Sequence, residues 1–206
     1  MNETQLMAAV VRGDQSAYQT LVRAHLPAIT RYALRLLGTP RDTEDIAQET
    51  FLRLWTTAVR WDPEKAKLTT WLHRITHNLC VDHLRRHKRV SLVAEFDEQP
   101  RGEAQPYSPT EPALHDALFE RASDQPTDQE ALETKAEHDA LEHALMGLPE
   151  AQRSALLLCY FQGFSNKETA AIMALSVTAV ESLIARAKRG LRATMEADTN
   201  AENDKN

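Results

Sequence analysis

Cysteine is almost missing from this sequence, and with it any covalent framework. Only Cys80 and Cys159 occur among 206 residues, too few for the disulfide scaffold of a small secreted domain. No stretch of about 18 residues is apolar and uncharged, which excludes a transmembrane helix and direct membrane insertion. Met1-Asn2-Glu3 lacks a basic leader, so no secretory signal is expected and a reducing, cytoplasmic setting suits both thiols. Glycine is scarce, and no long Val/Ile/Thr alternation is present, leaving β-strands little support. Phosphate-cradling glycine loops, a Gly-x-Ser-x-Gly elbow and a His-Glu-x-x-His pair are all lacking. The carboxylates cluster by charge and do not sit in isolated apolar pockets. No enzyme activity is expected, and no cofactor or resident metal.

What is present is an uneven charge distribution. The net charge is −6, a total that argues against a nucleic-acid partner until it is divided along the chain. Residues 1–94 hold 14 Lys/Arg and 9 Asp/Glu, residues 95–130 hold 2 and 10, and residues 141–192 hold 6 and 4. Two mildly basic segments therefore flank a strongly acidic one, which also carries Pro100, Pro106, Pro109, Pro112 and Pro126. Like charge, low hydrophobicity and closely spaced prolines disfavour a packed core, so 95–130 is expected to be a flexible linker. The predicted organisation is a domain over 1–94, the linker, a second domain over 131–198, and a disordered tail over 199–206.

Both domains read as helical. Leu6, Val10 and Val11 form a short apolar stripe before Gly13-Asp14, and Ala17, Leu21, Ala24, Ala28, Tyr32 and Leu36 recur at helical spacing up to Gly38. Thr39 is the expected cap of the next helix, with Pro40 at its first position; Ile46, Thr50, Leu54 and Ala58 mark its buried face. After the polar stretch Trp61–Lys65, Thr69 or Thr70 is expected to cap a long helix ending near Arg89. The second domain should open with a helix over 129–146 and continue from Pro149 to Phe161. Ser165 and Glu168 form a capping box for a short helix, and Ser176 caps a last helix to about Met195. Two helices joined by so short a turn, the second ending in Arg186, Lys188, Arg189 and Arg192, have the spacing of a helix-turn-helix. Plain helix pairing with a dipole-complementing basic end gives the same pattern.

A second pattern competes with DNA binding. His73, His77, Cys80, His83 and His87 form one stripe of potential metal ligands on the long helix. Ligands strung over roughly 20 Å of a straight helix do not close on one ion, so the stripe is not expected to hold a metal.

Longer blocks carry a family resemblance. Asp42-Thr-Glu-Asp-Ile-Ala-Gln-Glu-Thr-Phe-Leu-Arg-Leu-Trp55, Leu68-Thr-Thr-Trp-Leu-His-Arg-Ile75 and Asn78-Leu-Cys-Val-Asp-His-Leu-Arg-Arg86 resemble the first conserved domain of bacterial sigma-70-type factors. Leu148-Pro-Glu-Ala-Gln-Arg153, Phe164-Ser-Asn-Lys-Glu-Thr-Ala-Ala171 and the run Ser176–Arg192 are similar to the fourth conserved region of the extracytoplasmic-function (ECF) group. The resemblance implies an all-α fold of two small domains, the second a helix-turn-helix of winged-helix-like type. It implies a non-enzymatic initiation factor that binds core RNA polymerase and recognises promoter DNA for a stress- or signal-responsive regulon. An anti-sigma factor is the implied restraining partner, and the acidic linker the segment that threads a positive polymerase channel.

By resemblance, Asp45, Gln48, Glu49 and Arg53 are the candidates for polymerase binding. Trp61, Lys67, Arg74, Asn78, Asp82, Arg85, Arg86, Lys88 and Arg89 are the candidates for opening and reading the −10 element, where stacking and backbone contacts recover the cost of melting. Ser176, Thr178, Glu181, Ser182, Arg186, Lys188, Arg189 and Arg192 are the candidates for the −35 element. Arg186 is long enough for a bidentate guanine contact, and the later cations are placed for phosphates. Three departures stand out: no glycine in the turn Ala174-Leu175-Ser176, Thr169 in place of an isoleucine, and Glu181 at a frequently basic position.

Overall fold

The computed structural model describes residues 2–94 and 141–203, and side chains only up to 87 in the first stretch and up to 194 in the second. The chain divides into two units, Met1–Glu120 and Arg121–Asn206. The expected linker over 95–130 and the first part of the helix over 129–146 lie outside the described residues. Among the described residues every regular element is helical. None of their helices is singly long and apolar enough to cross a membrane.

The first unit contains α1 (Glu3–Val11), α2 (Gln15–Leu37), α3 (Pro40–Thr57), a 3-10 turn (Ala58–Arg60) and α4 (Leu68–Ala94). Local chemistry sets the ends. Asn2 and Gln5 cap α1 reciprocally, and the Asp14 carboxylate accepts from the amides of Ser16 and Ala17 at the start of α2. Gly38 ends α2 in the left-handed region at φ 78°, where its amide donates to the Leu34 carbonyl at 2.7 Å. α2 continues through Pro27, which lies inside one helix rather than between two. Thr39 occupies the cap position of α3, but its hydroxyl does not cap a backbone amide: it donates to the Asp42 carboxylate. α4 begins at Leu68, ahead of the expected caps Thr69 and Thr70, because the Lys67 carbonyl already accepts from the Trp71 amide. It runs past Arg89 to Ala94.

α1 and α3 pack on α2, and α4 lies against both α2 and α3. Met7, Leu21, Ile29, Phe51, Leu54, Leu68 and Leu72 form the core, with Trp55, Trp61 and Trp71 partly buried against it. Val11 turns outward, and Met7, Ala9 and Val10 are the buried face of α1. Two polar pairs join α4 to its neighbours. The Tyr32 hydroxyl is hydrogen-bonded to His77 Nδ1 at 2.9 Å, and Thr50 and Thr76 share a hydrogen bond at 3.2 Å. Both lie in the interior. Burial, reinforced by the charge of Arg85, lowers the pKa of His77 from 6.5 to about 4. Burial also lowers that of His25, outweighing the opposing pull of Glu3 at 3.2 Å.

In the second unit residues 141–146 are helical. They lead to α5 (Glu150–Leu156), a π-helical turn (Leu157–Phe161), α6 (Asn166–Met173) and α7 (Val177–Asn203). The π turn is marked by the Gln162 amide donating to the Leu157 carbonyl at 3.0 Å. Ala155, Ala170, Val180 and Ile184 form the core of the α5–α6–α7 cluster. Thr169 is fully buried there, and its hydroxyl is satisfied by Cys159 Sγ at 3.2 Å, which explains how a polar residue fills an isoleucine position. Cys159 is half-buried and takes part in this hydrogen bond. The capping box of Ser165 and Glu168 is present, and Ser176 Oγ accepts from the Ala179 amide at 3.1 Å at the head of α7. α7 extends beyond Met195 to Asn203, so 199–203 are helical in place of the expected disordered tail. Ala193, Met195, Glu196, Ala197 and Ala201 favour that extension by propensity.

Two stability predictions come from this packing. Ala174 ends α6 in the left-handed region at φ 54°, a conformation costly for a residue with a Cβ. Ala174→Gly should raise the unfolding free energy by about 1 kcal/mol, the relief of strain exceeding the added chain entropy; denaturant unfolding checks this, and a loss of stability would exclude it. His77 is neutral when folded, whereas the unfolded chain takes up the proton first as pH falls. Its stabilising effect is complete above pH 6.5 and is lost as pH falls towards about 4. The stability difference between wild type and His77→Gln should narrow over that window by on the order of 3 kcal/mol. Parallel pH profiles for the two proteins would contradict it.

Candidate functional site

α3 is amphipathic by construction. Ile46, Ala47, Thr50, Phe51 and Leu54 are buried, so Asp45, Gln48 and Arg53 emerge on the outer side with Glu49 half-exposed. Glu49 accepts from Arg53 Nε at 2.7 Å, one turn apart. Such an exposed pair contributes only a few tenths of a kcal/mol, but it presets the geometry of both groups. Leu52 lies between them, 54% exposed, and Val59 in the following 3-10 turn is 76% exposed. Sequence periodicity passed over both residues. Leu52 follows Phe51 directly and reads as part of the same apolar run, although consecutive helical residues cannot share a face.

The loop before α4 is organised by Asp62. Its carboxylate accepts from the Glu64 amide at 3.1 Å and pairs with Lys65 at 3.0 Å, while its carbonyl accepts from the amides of Lys65 and Ala66. The hydrogen bond to Lys65, followed by the one from Glu64, lowers the pKa of Asp62. Trp61 closes the loop from the other side, donating from Nε1 to the Ala66 carbonyl at 3.1 Å. Trp61 and Trp71 are both half-buried against the core, and Lys67 at the end of the loop is exposed.

α4 then separates two chemistries by rotation. Leu72, His73, Thr76, His77 and Cys80 are buried, while Arg74, Asn78, Asp82, Arg85 and Arg86 are exposed to differing degrees. The steps from Arg74 through Asn78 and Asp82 to Arg86 are four residues each, so the groups line one side of the helix. Lys88 and Arg89 follow on the same helix, beyond the last described side chain. The His/Cys stripe is split by depth. His73 is tied to the Thr69 carbonyl at 2.8 Å, His77 to Tyr32, and Cys80 is fully buried. His83 is partly exposed and His87 exposed.

In the second unit the chain turns by 101° between α6 and α7. Ala170, Ile172, Val180, Ile184 and Ala187 hold the two helices inward. Ser176, Thr178, Glu181, Ser182, Arg186, Lys188, Arg189 and Arg192 are all exposed. Ser176 is engaged in the cap, and Ser182 Oγ donates back to the Thr178 carbonyl at 2.9 Å. Lys188 Nζ lies 4.4 Å from the centre of the Tyr160 ring, a cation–π contact that holds it beside its own unit. Arg186 and Arg192 lie six residues apart on α7, at different depths along the helix. Leu175 and Val177, at the turn, are exposed apolar residues that the sequence pattern does not distinguish from core.

Comparison with known proteins agrees with this arrangement in both units. Residues 21–90 match the profile of sigma-70 region 2, and residues 138–191 that of sigma-70 region 4. The ECF RNA polymerase sigma factor SigE of Mycolicibacterium smegmatis is 33% identical over 183 residues, 87% of this chain, and this chain spans only 63% of its length. The RNA polymerase sigma factor CnrH of Cupriavidus metallidurans is 31% identical over 195 residues, covering 94% of each protein. A solved structure of CnrH in complex with the cytosolic domain of CnrY aligns with a TM-score of 0.61 and 26% identity, covering 94% of this chain and 96% of that one. The chain belongs to the sigma-70 family of RNA polymerase sigma factors, within its ECF group.

Proposed function

We propose that this protein is a promoter-specificity subunit: it binds core RNA polymerase through its first unit and directs initiation to promoters with paired −10 and −35 elements. It contributes recognition and no catalytic chemistry of its own, and it acts in the cytoplasm on a stress- or signal-responsive set of genes. The observation that carries this reading is the same in both units. α4 and α7 each bury one face in their own unit and leave a polar, arginine-bearing face open to solvent.

The outer side of α3, with Asp45, Gln48, Glu49 and Arg53 around the exposed Leu52, serves as the polymerase-docking surface. An apolar centre within a charged rim is the usual anatomy of a protein interface. The same surface suits an anti-sigma partner, whose binding would exclude polymerase; CnrH, the relative of similar fold, was itself captured in a protein complex. The Trp61–Ala66 loop and α4 take the melted −10 strand. Trp61 offers stacking to a base, and Lys67, Arg74, Arg85 and Arg86, followed in sequence by Lys88 and Arg89, offer countercharge to its backbone. Asn78 and Asp82 line the approach.

α6 and α7 act as a helix-turn-helix on the −35 element, with no wing strand among the described residues. Ser176 and Thr178 bring the start of α7 to a phosphate. Glu181, Ser182 and Arg186 face the base edges, and Lys188, Arg189 and Arg192 the flanking backbone. Neither unit carries a large positive excess, so the free protein should hold duplex weakly and lose it quickly with salt. Joined on polymerase, the two modules act at high effective concentration.

Core polymerase plus this protein should give promoter-specific run-off transcripts that neither gives alone. Replacing Asp45 and Glu49 together by arginine should abolish polymerase binding with helical content unchanged. Tight operator binding by the free chain, with no stimulation of polymerase, would instead identify a freestanding activator or repressor. On point-substituted promoters at fixed salt, Arg186→Ala should cost about 1–3 kcal/mol at one base pair, and Arg192→Ala a similar loss on every sequence. An even loss for Arg186→Ala would reassign that residue to the backbone.

A further inference from the structure

The fold brings together three metal-ligating side chains from two helices, outside the surfaces assigned above. His83 and His87 stand one turn apart on α4, and Asp42 reaches them from the first turn of α3. One ligand atom from each, a carboxylate oxygen and two imidazole nitrogens, lies within 4.8 Å of the others. We propose that Asp42, His83 and His87 form a binding site for a divalent transition-metal ion of the zinc class.

Three observations support the site. First, the donor set and spacing suit the ion: two histidines four residues apart on a helix with a carboxylate form an open three-ligand zinc site, the fourth position left to water or another ligand. Second, the geometry is nearly set. His83 Nε2 and Asp42 Oδ2 are 3.3 Å apart, the edge length of a tetrahedron with metal bonds of about 2.0–2.1 Å. The His87 ring lies with its centre 4.3 Å from that of His83, and its exposed position lets a rotamer change complete the closure. Third, the carboxylate is held by a hydrogen bond to the very oxygen that faces His83. Thr39 occupies the cap of α3 yet gives its hydroxyl to Asp42 Oδ2 at 2.5 Å, not to the helix. Outer-shell hydrogen bonds of this kind hold ligating carboxylates in place.

The stripe read from the sequence is therefore not a site as a whole, since His73, His77 and Cys80 are committed to the interior. Its two outermost histidines become ligands only because folding supplies Asp42. An ion bound there would clip the start of α3 to α4 beside Arg85 and Arg86, adding two positive charges next to those arginines.

The test is independent of transcription. Full-length protein freed of metal by chelation is titrated with Zn2+ by calorimetry, and with Co2+ by visible absorption, which reports tetrahedral coordination. One Zn2+ per chain is expected. Asp42→Asn, His83→Gln and His87→Gln should each weaken binding at least about tenfold, and Thr39→Val by about tenfold. His143→Gln, in the other unit, should leave binding unchanged. Circular dichroism verifies folding, and His87→Gln alters an exposed position, so its result stands apart from core packing. Failure of the wild-type protein to bind Zn2+ saturably would overturn the proposal. So would binding at wild-type affinity in the His83 and His87 variants.

Discussion

The rotation of α4 about its own axis is the constraint on which the first unit depends. Hydrophobic contacts alone would tolerate some turning, because Leu72 and its neighbours are pressed by apolar surface on several sides. The Tyr32–His77 and Thr50–Thr76 hydrogen bonds do not tolerate it. Turning α4 by one residue would break the buried Tyr32–His77 bond, at a cost of about 1–3 kcal/mol, and part Thr50 from Thr76, whose hydroxyls also bond the Ile46 and Leu72 carbonyls of their own helices. The two bonds tie α4 to different helices, α2 and α3, so together they fix its register as well as its face. Arg74, Asn78, Asp82 and Arg86 point to solvent as the complement of what Tyr32 and Thr50 hold inside.

Much of this was legible in the sequence. Gly38, the Ser165–Glu168 box and the Ser176 cap act locally, through side chain and backbone a few residues apart, and the structure places them as the pattern indicated. The outward side of α3 followed from the 3.6-residue period of Ile46, Thr50 and Leu54. What escaped was tertiary. Thr39 looked like an ordinary cap because its competing acceptor, Asp42, has the same three-residue spacing as the capped amide. His83 and His87 looked like the end of a stripe because the third ligand lies some forty positions earlier in the chain. Leu52 and Val59 were hidden by the opposite effect, apolar residues whose exposure depends on the helix phase alone.

The second unit shows local rules yielding to packing. A residue in the left-handed region is usually glycine, yet the connection after α6 uses Ala174, set between the buried Ile172 and Val180. Thr169 obeys the same logic: a hydroxyl is accepted in the interior because Cys159, one helix away, completes its hydrogen bonding. The Thr169 departure from the family pattern is thus chemically compensated inside this one chain.

The π turn over Leu157–Phe161 redirects the rest of the second unit. Such a turn is an α-helical turn with one residue more than its length requires, and one residue corresponds to about 100° of rotation and 1.5 Å of advance. The chain leaves α5 in a different direction from the one an uninterrupted helix would give it. Gly163 and Phe164 start from that altered heading, α6 inherits it, and α7 inherits it from α6 through the bend at Ala174. The side of the second unit on which the α7 arginines stand is therefore set some twenty-five positions upstream, by the phase of a single surplus residue.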